Sequence, residues 1–185
     1  MKQVKFRPWK GDNYEQIPQG KKLLILGDSH YCAKDKNRND ACRSKGDCSY
    51  DCMNDCCYKM THNLIRDEYL EFRSGRKKSE GFLQTILTFE KNLFGYTPSP
   101  QESINFWNSV IFYNYIQHSQ YKPRSRRKTE AEEIDDYKEA FKEVLAEYQP
   151  DYIIIWSKFL FTQDWLPDGA SEAPDYTLNA EYNGV

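Results

Sequence analysis

The 185-residue sequence lacks several features that would assign a chain to a class of protein at once. It has no apolar run near the roughly 20 residues that a membrane-spanning helix needs, so we expect no membrane partner. Its first residues, Met1–Lys5, are not followed by an apolar segment of the kind found in signal peptides. The net charge is only −2, which excludes a general attraction to nucleic acid. We therefore expect a cytoplasmic protein in which any nucleic-acid contact is local.

Aromatic residues are abundant, with 14 Tyr, 10 Phe and 4 Trp. Disordered chains are poor in such residues, and 185 residues is an ordinary length for one domain. We expect a single domain over residues 1–185, with a Cys-rich insertion at about residues 32–60. Residues 1–20 are polar and predict an N-terminal arm that is anchored on the domain by Trp9 and Tyr14.

Three short apolar runs predict the core strands, at residues 21–27, 110–116 and 152–156. Capping residues and helical periodicity predict helices between them. This alternation predicts an α/β fold, and in particular a three-layer α/β/α sandwich with a mainly parallel central sheet.

The predicted helices have specific boundaries and faces. Thr61 is expected to cap a helix that runs to about Phe72, and the segment Ser99–Glu102 predicts a capping box. Thr129 and Glu132 predict a second capping box, which would open a helix ending before Pro150. A helix at about residues 81–94 is expected to bury one apolar face, formed by Phe82, Ile86, Phe89 and Leu93.

The loop after the first predicted strand concentrates chemically active side chains. In parallel sheets, ligands bind beyond the carboxyl ends of the strands, so the loops 27–32, 114–120 and 156–159 should converge. Glycine at position 27 would let the backbone approach a ligand. Asp28, Ser29, His30 and Tyr31 follow it with carboxyl, hydroxyl, imidazole and phenol groups. The alternative is a structural loop in which Asp28 and Ser29 cap the next segment.

One resemblance rests on the four residues from Leu26 to Ser29. They resemble the first block of the SGNH (GDSL-type) hydrolases, in which the serine is the nucleophile. The resemblance implies an esterase with Ser29 as nucleophile, and such a serine needs a base to take its proton. The family's base stands in an Asp-x-x-His block. This sequence has only His30, His62 and His118 and no such block, so the esterase is the alternative hypothesis.

A second resemblance covers residues 21–160. Residues 24–31 resemble the first motif of the uracil-DNA glycosylase superfamily, and residues 112–116 resemble a strand that ends in an Asn reading the edge of the base. A basic loop, a helix and the strand of residues 149–156 follow in the superfamily's order. Ser157 stands where that family usually has Gly, and its last motif, a His-containing loop, is missing. We therefore expect a divergent member that is C-terminally truncated or weakened in catalysis.

The resemblance implies hydrolysis of an N-glycosidic bond in DNA repair, or binding of a nucleobase. Asp28 would activate water and stabilise the cationic sugar, and another alignment places Ser29 at that position. His30 would donate to a developing oxyanion. Tyr31 would form a wall of the base pocket, and Asn114 would pair with a uracil-like edge because an amide offers both a donor and an acceptor. The alternative for Asn114 is a strand-end residue that bonds backbone.

DNA, or another nucleobase-containing ligand, is the partner that this resemblance implies. A DNA glycosylase needs phosphate contacts. Two basic segments are the candidates, at residues 73–78 and 122–128. The alternative is that both are ordinary solvated loops.

The six cysteines lie within residues 32–57, with separations of 10, 6, 4, 4 and 1. No Cys-x-x-Cys pair is present, so the usual zinc-knuckle spacing is absent. A long polar segment with few apolar residues still needs something to order it, and zinc or an iron–sulfur cluster would do so. The alternatives are reduced thiols, or a metal-ordered interaction module with no catalysis. The candidate ligands are Cys42, Cys48, Cys52, Cys56 and Cys57, with His62 nearby.

Overall fold

A computed structural model describes residues 3–16, 20–31, 60–79, 81–117, 119–120, 131–157 and 160. Its centre is a mixed four-stranded sheet of β1 (Trp9–Lys10), β2 (Leu23–Gly27), β4 (Val110–Asn114) and β6 (Tyr152–Ile155). The strand order is β1-β4-β2-β6. Strand β2 pairs in parallel with β4 and β6, and β1 pairs antiparallel with β4. Two further short strands, β3 (His30–Tyr31) and β5 (Ser119–Gln120), pair in parallel beside this sheet.

The described residues form four helical segments beside the strands. Segment α1 begins as an α-helical turn (Met60–His62), continues as a π-helix (Asn63–Leu70) and ends in a second α-helical turn (Glu71–Arg73). The others are α2 (Gly81–Phe94), α3 (Pro100–Trp107) and α4 (Ala131–Tyr148), and a 3-10 turn lies at Tyr14–Gln16. These elements confirm the α/β class that the sequence predicted.

Local capping explains where some of these helices begin and end. Helix α3 starts with the expected capping box, in which Ser99 Oγ accepts from the Glu102 amide and the Glu102 carboxylate accepts from the Ser99 amide. Helix α4 ends at Tyr148, because Gln149 turns into the left-handed region (φ 45°) ahead of Pro150. The predicted capping residue Thr129 lies outside the described residues, and so does the side chain of its predicted partner Glu132.

The prediction that Thr61 caps α1 is wrong. The helical segment already begins at Met60, so Thr61 lies inside its first turn. Its hydroxyl group is 2.8 Å from His30 Nε2 rather than bonded to the helix's own amides. The side chain therefore joins α1 to the loop that follows β2.

Alternate residues of the central strands belong to two separate apolar clusters. Leu24 and Leu26 lie in one cluster with Tyr137 and Phe141 of α4, whereas Ile25 lies in the other. That second cluster contains side chains from α1, α2 and α3, among them Ile65, Tyr69, Leu83, Ile86 and Trp107. The alternation follows from the two-residue period of a strand and shows that β2 is buried on both sides.

Two expectations about burial are corrected. Helix α2 buries Ile86 and Phe89 as expected, but Phe82 and Leu93 are 50% and 40% exposed. The other buried side chains of α2 are Leu83, Leu87 and Glu90 instead of Phe82 and Leu93. The buried face of the helix is therefore rotated from the expected one. The run at residues 152–156 predicts a core strand, yet the isoleucines of β6 are half-buried and Tyr152 is 50% exposed. Among the described strands β6 is at the edge of the sheet, which explains the difference.

A buried carboxylate joins α2 to α3. Glu90 is fully buried, and its two oxygens accept hydrogen bonds from Ser103 Oγ (2.5 Å) and Trp107 Nε1 (2.6 Å). Ser103 Oγ in turn accepts from Arg73 Nε at 2.9 Å, which links the network to α1. Both donors come from α3, and such hydrogen bonds are what a carboxyl group needs in order to be tolerated in an apolar interior.

The N-terminal arm is fixed by both of the predicted aromatic anchors. Trp9 and Tyr14 are buried, and their polar atoms donate to the carbonyl oxygens of Trp107 (2.9 Å) and Tyr148 (3.1 Å), respectively. Residues 9–13 also make backbone bonds to β4 and to Asn108. The arm therefore runs along the outer side of β4.

Candidate functional site

The carboxyl ends of β2 and β4 lie side by side. Gly27 is opposite Asn114 in the strand register, and the backbone pairing continues past both strands. Gly27 O and Asp28 O accept from the amides of Tyr115 (3.0 Å) and Ile116 (2.9 Å). Because the strands are parallel, the two polar loops leave the sheet together, as the sequence predicted.

The third predicted loop starts at the same edge. The Trp156 amide donates to Leu26 O at 2.7 Å, which places the end of β6 beside the end of β2. Residues 158–159 of this loop lie outside the described residues. The described parts of the three loops are thus grouped around the end of β2.

Gly27 is required by a side chain of the neighbouring strand. A Cβ atom at this position would stand 2.0 Å from Asn114 Oδ1 and 3.0 Å from the Phe112 ring. Real Cβ atoms do not approach other heavy atoms so closely, so only glycine lets Asn114 lie across β2. The sequence interpretation gave Gly27 a backbone role at a ligand, whereas the contact seen here is with Asn114.

His30 is buried at this edge, with 3% of its surface exposed. Its Nε2 is 2.8 Å from Thr61 Oγ1, and Asn114 Nδ2 lies 3.2–3.3 Å from the two ring nitrogens. Phe6 packs edge-on against the ring, with the centroids 4.9 Å apart. Burial lowers the pKa of His30 from 6.5 to about 3, so the imidazole is neutral at ordinary pH.

Both ring nitrogens of His30 have polar neighbours within the protein. A neutral imidazole has one N–H donor and one acceptor nitrogen, and the Asn114 amide nitrogen can only donate. Asn114 Nδ2 lies within 3.3 Å of both Nδ1 and Nε2, and the Thr61 hydroxyl group, which can donate or accept, lies 2.8 Å from Nε2. The roles of His30 as an oxyanion donor and of Asn114 in base recognition stay predictions.

Asn114 is 4% exposed, and the residues that hold it were not predicted. Its backbone oxygen accepts from Gln117 Nε2 at 2.7 Å, and its side chain meets His30. Sequence reasoning missed Thr61, Gln117 and Phe6 as parts of this site. The only signal was that Gln117 falls in the loop 114–120, which was expected to converge on the site.

Asp28 and Ser29 are half-buried, so they are more accessible than His30 and Asn114. Within the Asp28 carboxylate, however, Oδ1 is itself buried. The backbone of Tyr31 pairs with Gln120, and the side chain of Tyr31 lies outside what the structure describes.

The basic segment at residues 73–78 is largely neutralised by its neighbours. Arg76 makes a bidentate pair with Glu71 at 2.5 and 2.6 Å, and Lys77 pairs with Glu68. Arg73 donates to Pro98 O as well as to Ser103. A phosphate would have to compete with these contacts. The other basic segment, 122–128, lies outside the described residues.

The predicted metal site cannot be located in the described part of the chain, because all of its cysteines lie outside it. Its sixth candidate, His62, is described and packs edge-on against Trp9, with the ring centroids 5.6 Å apart. Partial burial lowers the pKa of His62. Within residues 3–31 and 60–160, as far as they are described, no three His, Cys, Asp or Glu side chains are grouped as metal ligands.

Comparison of the chain with protein-family models, with curated proteins and with solved structures finds no match. The resemblances therefore rest on the residues quoted above. Among the described helices, none is both long and apolar enough to cross a bilayer.

Proposed function

We propose that the edge formed by Gly27–Ser29 and Asn114 is a nucleobase site, and that the protein hydrolyses an N-glycosidic bond in the manner of uracil-DNA glycosylases. The observation that supports this proposal is the register of Gly27 opposite Asn114. It places the only carboxylate of the first motif, Asp28, beside the asparagine that would recognise the base. The proposal includes a three-layer α/β/α fold and a cytoplasmic location.

The reaction breaks the bond between the sugar carbon and the base nitrogen, and a water molecule adds its oxygen to that carbon. Positive charge develops on the sugar and negative charge on the departing base. Asp28 is half-buried and its Oδ1 is buried, so the carboxylate lies in a partly desolvated setting in which charge stabilisation is strong. The carboxylate stabilises the sugar cation and orients the attacking water, accepts its proton as the new C–O bond forms, and returns that proton to solvent, while the departing base takes up a proton from solvent.

The esterase alternative is less well supported by this geometry. A serine nucleophile needs a base that can take its proton. His30 follows Ser29 directly, but its ring is buried, and its nitrogens already lie beside Thr61 Oγ1 and Asn114 Nδ2. Its lowered pKa, about 3, also makes it a weak base. The described residues therefore supply no ready partner for Ser29.

The partner in this proposal is a nucleobase-containing ligand. Since the basic side chains at residues 73–77 are already bonded within the protein, we assign contact with DNA phosphates to the segment at residues 122–128. A third hypothesis is a metal-ordered interaction module. It would be supported by bound metal in a protein that neither releases a base nor hydrolyses an ester.

The test is release of a free base by the full chain. Single-stranded and duplex oligonucleotides that contain uracil, hypoxanthine or a mismatched thymine are incubated with the protein, and released base is measured by chromatography with mass detection. A set of ester substrates is tested in parallel. We expect release of at least one base and no ester hydrolysis. Ester hydrolysis without base release would contradict the proposal and favour the esterase.

A further inference from the structure

The N-terminal arm lies directly over the proposed site. Gln117 Oε1 accepts two hydrogen bonds from this arm, from the amides of Lys5 (2.9 Å) and Phe6 (3.0 Å). The side chain of Phe6, which is 3% exposed, packs on the ring of His30. The arm is therefore one of the elements that keep His30 out of solvent.

The arm is attached in two different ways along its length. From Trp9 onward its backbone pairs with β4 and then bonds to Val110 and Asn108. Between residues 3 and 6, the amides of Gln3, Lys5 and Phe6 bond instead to side chains, those of Glu143 and Gln117. Pro8 lies at the change from one mode to the other and has a fixed φ. Val4 of this segment also packs in the apolar cluster that contains Tyr14 and Leu24, so separation of residues 3–8 from the domain has to break apolar contacts as well as these hydrogen bonds.

Gln117 connects this segment to the site itself. Its side chain is 2% exposed, and its Nε2 donates to the backbone oxygen of Asn114 while Oε1 holds the arm. One buried amide thus fastens the arm to the end of β4. The same arm residues cover the ring of His30 through Phe6.

We propose that residues 3–8 form a hinged cover over His30, that Gln117 is the latch of this cover, and that a ligand reaches His30 and Asn114 only when the cover is open. The last of these statements rests on the proposed function. The first two concern the protein alone and hold whether or not a base is released.

Hydrogen exchange of the native full-length chain tests the cover without any ligand. The amides of Lys5 and Phe6 report opening of the cover, and the amides of Leu24 and Leu26 in β2 report global unfolding. We expect Lys5 and Phe6 to exchange through an opening about 100-fold or more frequent than that of β2, with little dependence on denaturant. Equal opening constants at the two places, with equal denaturant dependence, would overturn the proposal.

Gln117→Ala tests the latch. It should raise the opening constant at Lys5 and Phe6 about tenfold or more, because both amides lose their acceptor, and leave that of β2 changed by a smaller factor. The matched control is Gln84→Ala, which removes an exposed glutamine of α2 that bonds to Ser79. It should leave the exchange of the arm unchanged. An arm that exchanges no faster in Gln117→Ala, measured relative to β2, would contradict the role of Gln117.

Chemical modification links the cover to access. Diethyl pyrocarbonate should modify His30 slowly in the native protein and about tenfold faster in Gln117→Ala, with the site identified by peptide mass spectrometry. His30 that stays unreactive while the arm opens would refute the cover as a gate. If the cover opens as expected but no base is released by any form, the proposed function fails and the cover stands. If base is released but the arm opens only when the whole protein unfolds, the proposed function is supported and the cover is refuted.

Discussion

The neutral, buried state of His30 has a measurable effect on stability. In the unfolded chain its pKa is the ordinary value of 6.5, and in the folded chain burial lowers it to about 3. Between these values the unfolded chain binds a proton that the folded chain does not, so a falling pH favours unfolding. The contribution of His30 is fully present above about pH 6.5 and is lost as the pH falls towards 3.

The size of this effect follows from the separation of the two pKa values. Each pH unit well below 6.5 costs about 1.4 kcal/mol, so the loss between neutral pH and pH 5 is about 2 kcal/mol. The assay is urea denaturation of the natural chain and of His30→Gln from pH 7.5 to 5. The free energy of unfolding of the natural chain, minus that of the variant, should fall by about 2 kcal/mol over this range.

Carboxylates and His62 also titrate near this range, but they contribute to both proteins and cancel in the difference. His62→Gln is the matched control, because His62 is only half-buried and packs on Trp9. Its difference curve should be shallower than that of His30→Gln. A flat difference for His30→Gln between pH 7.5 and 5 would refute the reasoning, since it would mean that His30 is as accessible to protons in the folded chain as in the unfolded one.

Three further predictions concern other parts of the molecule. Gly27→Ala should lower the free energy of unfolding, measured by urea denaturation, by about 2 kcal/mol or more, because the new Cβ meets Asn114 Oδ1. The control is Gly81→Ala, which has open space around the new Cβ and should leave the free energy of unfolding unchanged or raise it. Glu90→Ala should cost about 3 kcal/mol or more in the same assay, because two buried donors lose their acceptor; a cost under about 1 kcal/mol would contradict this. Elemental analysis of anaerobically purified protein should find about one zinc ion or iron–sulfur cluster per chain; less than roughly 0.2 metal per chain would mean plain thiols or a disulfide.

Much of the fold could be predicted because its signals are local. The apolar runs at β2 and β4 and the capping box at Ser99 depend on neighbours in sequence, and all three are found where the sequence placed them. The convergence of the loops after β2 and β4 followed from the rule that parallel strands share their carboxyl edge. The face of α2 could not be fixed in this way. The helix carries apolar side chains on more than one of its faces, so its sequence alone does not select the buried face. Packing against the rest of the protein buries Leu83 and leaves Phe82 exposed.

The contacts within the site were harder to predict because they join distant residues. Thr61 has the sequence context of a helix cap, and its partner His30 lies 31 residues away. Gln117 holds amides that are more than 100 residues away in sequence, and Phe6 gives no local sign that it covers an imidazole. The types of side chain at the site were evident from the loop, whereas their bonding was decided by tertiary structure.

The most direct test of the central claim is the single-turnover rate of base release in Asp28→Asn and in Ser29→Ala. Asp28→Asn keeps the shape of the side chain and removes its charge, so we expect folding to survive and the rate to fall by roughly 100-fold or more. Ser29→Ala should change the rate much less, because the serine takes no part in bond breaking. A rate that is unchanged in Asp28→Asn and abolished in Ser29→Ala would contradict the account and assign the chemistry to the serine.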